Sequence, residues 1–330
     1  MKNKKILITG GLGFIGSHFV ELINNYFDNS TIHVVDIYDY CTSLKTDALI
    51  RELNLNSNND IFIFKMDIND FVLSEHYDYI VNFAAQSHVD RSIEDGNPFL
   101  NSNVNGTFNL LNQMDKYDRF IQIGTDEVYG SLSFNDKPSI ETDMLKPSSV
   151  YSSTKASADL IAMSFFHTYN KSVIVTRCTN NFGTRQYTEK LIPTIIDKIL
   201  KNENIPIYGD GQNVRQWIHV KEHCEMIYNL MLHGNSGNTY NICSNSSLNG
   251  NSYNNTFIAG LILEILEKDK NLITYVDDRK GHDLRYALNS DKTKRLFECK
   301  NIKIKKYDFF KDLTETVDWY VNNQKWWTIV

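Results

Sequence analysis

A glycine-rich loop set between an apolar strand and an amphipathic helix constrains the fold of this chain more than any other stretch. Lys5 to Thr9 reads as a short strand, Gly10-Gly11-Leu12-Gly13-Phe14-Ile15-Gly16 as the loop, and the residues through about Phe27 as the helix. Such a loop needs glycine where the backbone turns tightly, approaches a pyrophosphate, or packs the helix onto the strand, and it leaves the helix N-terminus facing the phosphates. Ile32 to Asp36 then supplies a second strand that ends in an acid 20 positions after Gly16. Strand, loop, helix and acid together predict a dinucleotide site built from Gly10, Gly13, Phe14, Ile15, Gly16 and Asp36. The Asp36 carboxylate suits the adenosine ribose and would repel the extra phosphate of NADP. No Arg or Lys follows until Lys45, so NAD is the expected cofactor.

The same alternation continues. Ile61 to Met66 leads to Asp67-Ile68, and Tyr79 to Phe83 leads to Ala84-Ala85-Gln86-Ser87, where small residues let the backbone close on the cofactor or simply pack strand on helix. A helix from about Pro98 to Asp115 precedes the apolar strand Phe120 to Ile123. That strand delivers Gly124-Thr125-Asp126-Glu127-Val128-Tyr129-Gly130 to its carboxyl end, where ligands bind in open α/β sheets. A further helix from about Val150 to Tyr169 carries Tyr151 and Lys155 on one face, because residues four apart are helix neighbours. Strands alternating with helices over the first 180 residues predict an α/β fold with a doubly wound parallel (Rossmann) sheet. We place the NAD-binding domain at residues 1–185 and a smaller C-terminal lobe, mainly for substrate, at 186–330, with some of its strands returning to the first sheet. In that lobe we expect a helix from about Glu189 to Lys201, a turn at Gly209-Asp210-Gly211, and a polar loop from Asn249 to Asn255.

Charge and composition exclude other classes. Among the 330 residues, 40 acids against 34 bases give a net charge of -6, and the bases are dispersed. That argues against a nucleic-acid track or a polybasic membrane anchor. Basic residues precede Ile6-Leu7-Ile8 as in a signal peptide, but the apolar run is too short, and no segment approaches the roughly 18 apolar residues of a membrane span. The five cysteines are scattered without a Cys-x-x-Cys pair, which fits a reduced, cytoplasmic setting.

Tyr151 and Lys155 have the makings of a base. A tyrosine titrates near 10, so a phenolate at neutral pH needs a downward shift of roughly 3 units, about 4 kcal/mol. The Lys155 ammonium and a positive nicotinamide ring would both favour it. On spacing alone an ordinary helix-start tyrosine with a solvent lysine fits better. Asp126 and Glu127 likewise fit two exposed loop acids, but their place after a buried strand and behind the Thr125 hydroxyl favours one acid and one base with separated pKa values. His219 and His223 straddle a strand end with no third ligand nearby, and Asp277, Asp278 and Asp283 read as loop acids, so no metal is expected.

With these residues on the page, the chain resembles the extended short-chain dehydrogenases/reductases, and within them the nucleotide-sugar (dTDP- or UDP-glucose) 4,6-dehydratases. The resemblance runs through the glycine loop, Ala84 to Ile93, Thr125 to Gly130, Tyr151 with Lys155, Asn180 to Gly183, Glu189 to Pro193, Gly209 to Gly211 with Arg215, and Asp278 to Asp283. It implies that Tyr151 takes the proton of the glucose 4-hydroxyl as hydride leaves C4 for NAD, with Thr125 on that oxygen. Glu127 then removes the C5 proton and Asp126 protonates the departing 6-hydroxyl, before the hydride returns to C6. It also implies substrate contacts from Ser87, Asn180, Lys190, Leu191, Arg215, Asn241, Asp278 and His282, and a homodimer built on the helices near 98–115 and 150–170. The short stretch from Tyr129 to Tyr151, Thr184-Arg185, Cys243-Ser244 and Lys280 depart from the bacterial dTDP-glucose pattern and lean the reading slightly to UDP-glucose. The product would feed rhamnose or other deoxysugar nucleotides. Rival readings are a nucleotide-sugar 4-epimerase or decarboxylase, and an NAD-binding sensor or scaffold without chemistry.

Overall fold

The computed structural model describes residues 1–244 and 251–327. Its centre is a seven-stranded parallel sheet in the order β10-β6-β5-β4-β1-β2-β3. The first six strands in sequence are β1 (Lys5–Thr9), β2 (Thr31–Asp36), β3 (Asp60–Lys65), β4 (Tyr77–Asn82), β5 (Tyr117–Thr125) and β6 (Ser172–Cys178). Alternate residues of a strand face opposite sides. Ile6, Ile8 and Val34 therefore join one buried layer with Phe19 and Ile23 of helix α1 (Phe14–Tyr26), while Leu7 and Val35 join the other with Leu110 and Phe165. The order reverses between β1 and β4, and the carboxyl ends at that crevice hold the site.

The second half contributes to both parts of the molecule. The helix Val220–His233 packs its Cys224, Ile227 and Leu230 into the same layer as α1, and β10 (Asn238–Ile242) pairs with the edge strand β6. A separate apolar cluster joins the helices Leu191–Leu200, Asn255–Ile265 and Phe309–Asn322. It is framed by small sheets: β7 (Asn180–Phe182) beside β9 (Val214–His219) and β11 (Ser252–Asn254), and β8 (Ile205–Tyr208) beside β12 (Ile273–Val276). No helix among the described residues is long and apolar enough to cross a membrane.

Local readings hold with some corrections. The expected helix near 98–115 is interrupted: Asn97–Phe99 leads into a seven-residue π-helical stretch, Leu100–Gly106, before Thr107–Asn112. The stretch carries Asn103, whose amide clasps both the Gln86 backbone and the Thr154 hydroxyl, and π-helical stretches are frequent at functional sites. Of the expected polar loop, Asn249 and Gly250 lie outside the described residues. The remainder is not loop: Ser252–Asn254 pairs antiparallel with β9, and Asn254 caps the next helix by accepting from the Phe257 amide at 2.7 Å. Asparagine favours that capping position because its side chain satisfies an orphan helix N–H.

Candidate active site

Eighteen of the site residues expected from the sequence line one cavity of about 330 Å³ at the carboxyl ends of the parallel strands. Its floor is the glycine loop. Gly10 has φ +62, and a Cβ there would lie 2.7 Å from the Ala84 nitrogen; at Gly16 it would lie 2.2 Å from the Gly10 carbonyl. Backbone alone fits these contacts, so Phe14, Ile15 and the helix N-terminus come close to whatever occupies the cavity. The Asp36 carboxylate accepts from the Leu12 amide at 3.0 Å and the Tyr38 amide at 2.9 Å, and burial pushes its pKa up against those bonds. Asp67, Ile68, Ala84, Ala85 and Ser87 complete the wall. These residues fit a dinucleotide.

The acid pair stands where β5 ends. Thr125 closes the strand, and its hydroxyl accepts from the Glu127 amide at 3.4 Å and faces Asp126 Oδ1 at 3.3 Å. Asp126 Oδ2 is buried with no hydrogen-bond partner among the described residues. Burial, and then the neighbouring Glu127 charge, push the Asp126 carboxyl up to about 8, so it keeps its proton at neutral pH. Burial also raises Glu127, but the charges of Lys190, Arg279 and Arg215 pull it back. Adjacent carboxyls in unequal surroundings are the condition for an acid beside a base.

Tyr151 enters from the helix Val150–Tyr169, whose first turn is fixed by Ser149 and Ser152, each accepting from the other's backbone amide. One expectation is corrected here. Burial, with Glu127 next, raises the Tyr151 phenol well above its ordinary value, and the Thr125 hydroxyl only partly opposes this. Lys155 does not by itself produce the expected downward shift, because its ammonium donates to the Ile123 carbonyl at 2.5 Å. Burial lowers Lys155 in turn.

The expected substrate residues divide. Ser87, Asn180 and Lys190 line the cavity, and Lys190 Nζ donates to the Ser87 carbonyl at 2.7 Å. Five others do not line it. Leu191 begins its helix and packs against the lobe's apolar cluster. Arg215 spends its guanidinium on the carbonyls of Val214 at 2.9 Å and Asp283 at 2.9 Å, stacked 4.3 Å over the Tyr286 ring, although its charge still reaches Asp126 and Glu127. Asn241 is fully buried, accepting from the Tyr129 hydroxyl at 2.8 Å and donating to the Ser139 carbonyl at 3.0 Å. Asp278 and His282 bond to each other at 2.6 Å in the segment after β12. Cys178 and Thr179, which no periodicity or motif marks as site residues, also line the cavity, as does Glu189, which the sequence marked only as the start of a motif and not as a site residue. Among the described residues no cluster of His, Cys, Asp and Glu has the arrangement of a metal site.

A dinucleotide cradle that shares its cavity with a tyrosine–lysine pair and two carboxylic acids defines a redox-fold enzyme equipped for proton transfer. The family model for GDP-mannose 4,6 dehydratase matches residues 7–305. A dTDP-glucose 4,6-dehydratase of Actinoplanes sp. is 38% identical over 332 residues, covering 98% of this chain and 100% of the relative. The low-salt glycan biosynthesis protein Agl12 of Haloferax volcanii is 42% identical over 297 residues, 88% of this chain and 92% of that protein. Among solved structures, the dTDP-glucose 4,6-dehydratase DesIV of Streptomyces venezuelae, with NAD bound, superposes with a TM-score of 0.90 at 35% identity over 98% of each chain. The chain belongs to the GDP-mannose 4,6-dehydratase family of extended short-chain dehydrogenases/reductases.

Proposed function

We propose that the protein is a hydro-lyase that converts an NDP-glucose to NDP-4-keto-6-deoxyglucose and water, with dTDP-glucose as substrate and NAD as resident cofactor. The observation that carries the proposal is a protonated Asp126 and a cation-surrounded Glu127 in the same cavity as Tyr151 and the glycine cradle. Gly10, Gly13, Gly16 and Asp36 would hold NAD, which supplies a hydride acceptor that gives the hydride back within one turnover.

Tyr151 would receive the proton of the sugar 4-hydroxyl as a phenolate, which the Lys155 ammonium and the positive ring of bound NAD would have to stabilise against burial, while Thr125 hydrogen-bonds that oxygen. Oxidation at C4 makes the C5 proton acidic. Glu127 removes that proton, and Asp126 gives its own to the 6-hydroxyl so that it leaves as water. Glu127 then returns a proton to C5 as C6 is reduced; C4 stays a ketone, so Tyr151 gives the 4-hydroxyl proton up to solvent while Asp126 takes one back from it. Positioned acids and bases of this kind contribute roughly 10²–10⁴-fold each. Lys190 and Asn180 line the cavity and would meet the diphosphate, with Lys190 exchanging the Ser87 carbonyl for phosphate oxygen.

The names of the relatives support dTDP-glucose over the earlier lean to UDP-glucose. One departure behind that lean has a local role in the fold, since the Cys243 thiol is buried against Ser290 Oγ at 3.1 Å. We also propose a homodimer through the faces that leave Leu100, Phe108 and Leu160 49%, 48% and 61% exposed, in a cytoplasmic setting. The test of function is to incubate the purified protein with dTDP-glucose and with UDP-glucose separately and follow each nucleotide sugar by mass. Loss of one water from dTDP-glucose alone is expected. Loss from UDP-glucose alone would reverse the base assignment, and inversion, loss of carbon dioxide or no change with either would overturn the reaction.

A further inference from the structure

Behind the reacting face lies a buried charge network that the proposed reaction does not use. Asp159 follows Lys155 by one helical turn and is 1% exposed. Its Oδ2 accepts from Arg177 Nε of β6 at 2.9 Å. Arg177 is itself buried, and its other arm donates to the Tyr129 hydroxyl at 2.9 Å. That hydroxyl in turn donates to Asn241, which anchors the chain of contacts on β10.

One oxygen of this carboxylate stands apart. Asp159 Oδ1 is buried and has no hydrogen-bond partner among the described residues. It lies 3.0 Å from where a Cβ on Gly124 would be, so it rests against the backbone that the absent side chain leaves bare. The next residue back, Ile123, gives its carbonyl to Lys155 Nζ. Ammonium and unpartnered carboxylate oxygen therefore both lie against Ile123 and Gly124 of β5.

We infer that Asp159, fixed by Arg177, is a positioning residue whose charge keeps Lys155 an ammonium in the buried site, so that the cation beside Tyr151 persists through the reaction. The groups facing Lys155 are Asp159 on its own helix, Cys178 at the end of β6, and the Ile123 carbonyl. Burial raises the Asp159 carboxyl, and the charges of Arg177 and then Lys155 pull it back, so the two cations hold it in its charged form; Arg177 faces Asp159 and Tyr129. Burial pushes Lys155 down, and of the charges opposing this Asp159 is the largest. A buried ammonium without such a partner loses its proton readily. The inference rests on the reaction proposed above only for its kinetic consequence.

The two members of the pair are expected to act with opposite sign. Asp159→Asn keeps the shape and the bond to Arg177 but removes the negative charge, leaving Lys155 beside an uncompensated guanidinium. Arg177→Gln removes the competing cation and leaves the carboxylate to Lys155. In the first turnover, substrate oxidation read from NADH absorbance should therefore lose its alkaline limb earlier in Asp159→Asn, by about one pH unit, and later in Arg177→Gln. A readout without turnover is the pH at which Lys155, which lines the cavity, reacts with a small amine-directed acylating reagent, located by peptide mass spectrometry. It should fall in the first variant and rise in the second. Limbs and labelling onsets that stay in place while rates drop equally at every pH, or that move in the same direction, would overturn the inference. Should Asp159→Asn not fold, Arg177→Gln decides alone, since no alkaline shift in its labelling contradicts the proposal. The labelling result stands even for a protein that dehydrates neither sugar nucleotide.

Discussion

The glycine-loop half and the C-terminal half of the chain both reach the cavity but are built by different means. Around the glycine loop the determinants are backbone: positive φ at Gly10, bare Cα atoms at Gly10 and Gly16, and strand ends that place Asp36, Ala84 and Thr125. In the C-terminal half, which supplies both β10 of the central sheet and the smaller sheets, they are side chains that reach across irregular connections, and much of their bonding capacity is spent on the protein. Arg215 is held by the carbonyls of its own strand and of the Asp283–Leu284 stretch, and Asn241 by Tyr129, Ser139 and Asn289. Backbone geometry fixes a site before any ligand arrives, whereas a side-chain site is defined by which partners the ligand displaces.

The largest effect is expected where the two halves meet. Glu127→Gln should cut dehydration by roughly 10²–10⁴-fold while NADH still forms on mixing with substrate, because only the C5 base is lost. Rapid mixing followed by product mass analysis checks this, and product formation at the native rate would remove Glu127 from that role. In the cofactor half, Gly16→Ala sets a Cβ against the Gly10 carbonyl, and backbone cannot give way as a side-chain tip can. We expect about 1–3 kcal/mol of destabilisation together with loss of NAD on gel filtration. Full NAD retention with an unchanged melting temperature would show that the loop is less constrained than the comparison requires.

On β10, Asn241→Ala should act on stability. It leaves the buried Tyr129 hydroxyl short of an acceptor, at about 1–3 kcal/mol, with little change in KM. A raised KM at native stability would instead return Asn241 to the substrate. The smallest effect is one of pH. Asp126 is raised to about 8, so its acid form is present below that value and disappears as pH rises through it. Dehydration should decline across that range while substrate oxidation in the first turnover does not, and parallel profiles would mean that Asp126 is not the acid.

These differences explain what the sequence made legible. The glycine loop, Asp36, the Thr125-Asp126-Glu127 turn and the Tyr151/Lys155 spacing each lie within a short segment whose hydrophobic period also reveals its strand or helix. Their convergence follows from the rule that parallel strands present their carboxyl ends together. Asn241 entered only through the family resemblance, and its partner Tyr129 is 112 residues away, a pairing no local pattern encodes. The Tyr151 titration was misjudged because the sequence shows the lysine four residues on, but neither the depth of burial nor the Ile123 carbonyl that takes the ammonium. Asp159, again four residues further, had a local signal in its spacing from Lys155, yet its meaning depends on Arg177 from the neighbouring strand.

The central claim is that one cavity oxidises, dehydrates and reduces the same sugar without releasing hydride equivalents. The direct test is to supply dTDP-glucose carrying deuterium at C4, in ordinary water, and locate the label in the product. The account requires a 4-keto-6-deoxy product that has lost one water and carries the deuterium at C6. A product whose C4 is inverted with the label still on it, or a dehydrated product whose label has gone to solvent, would contradict it.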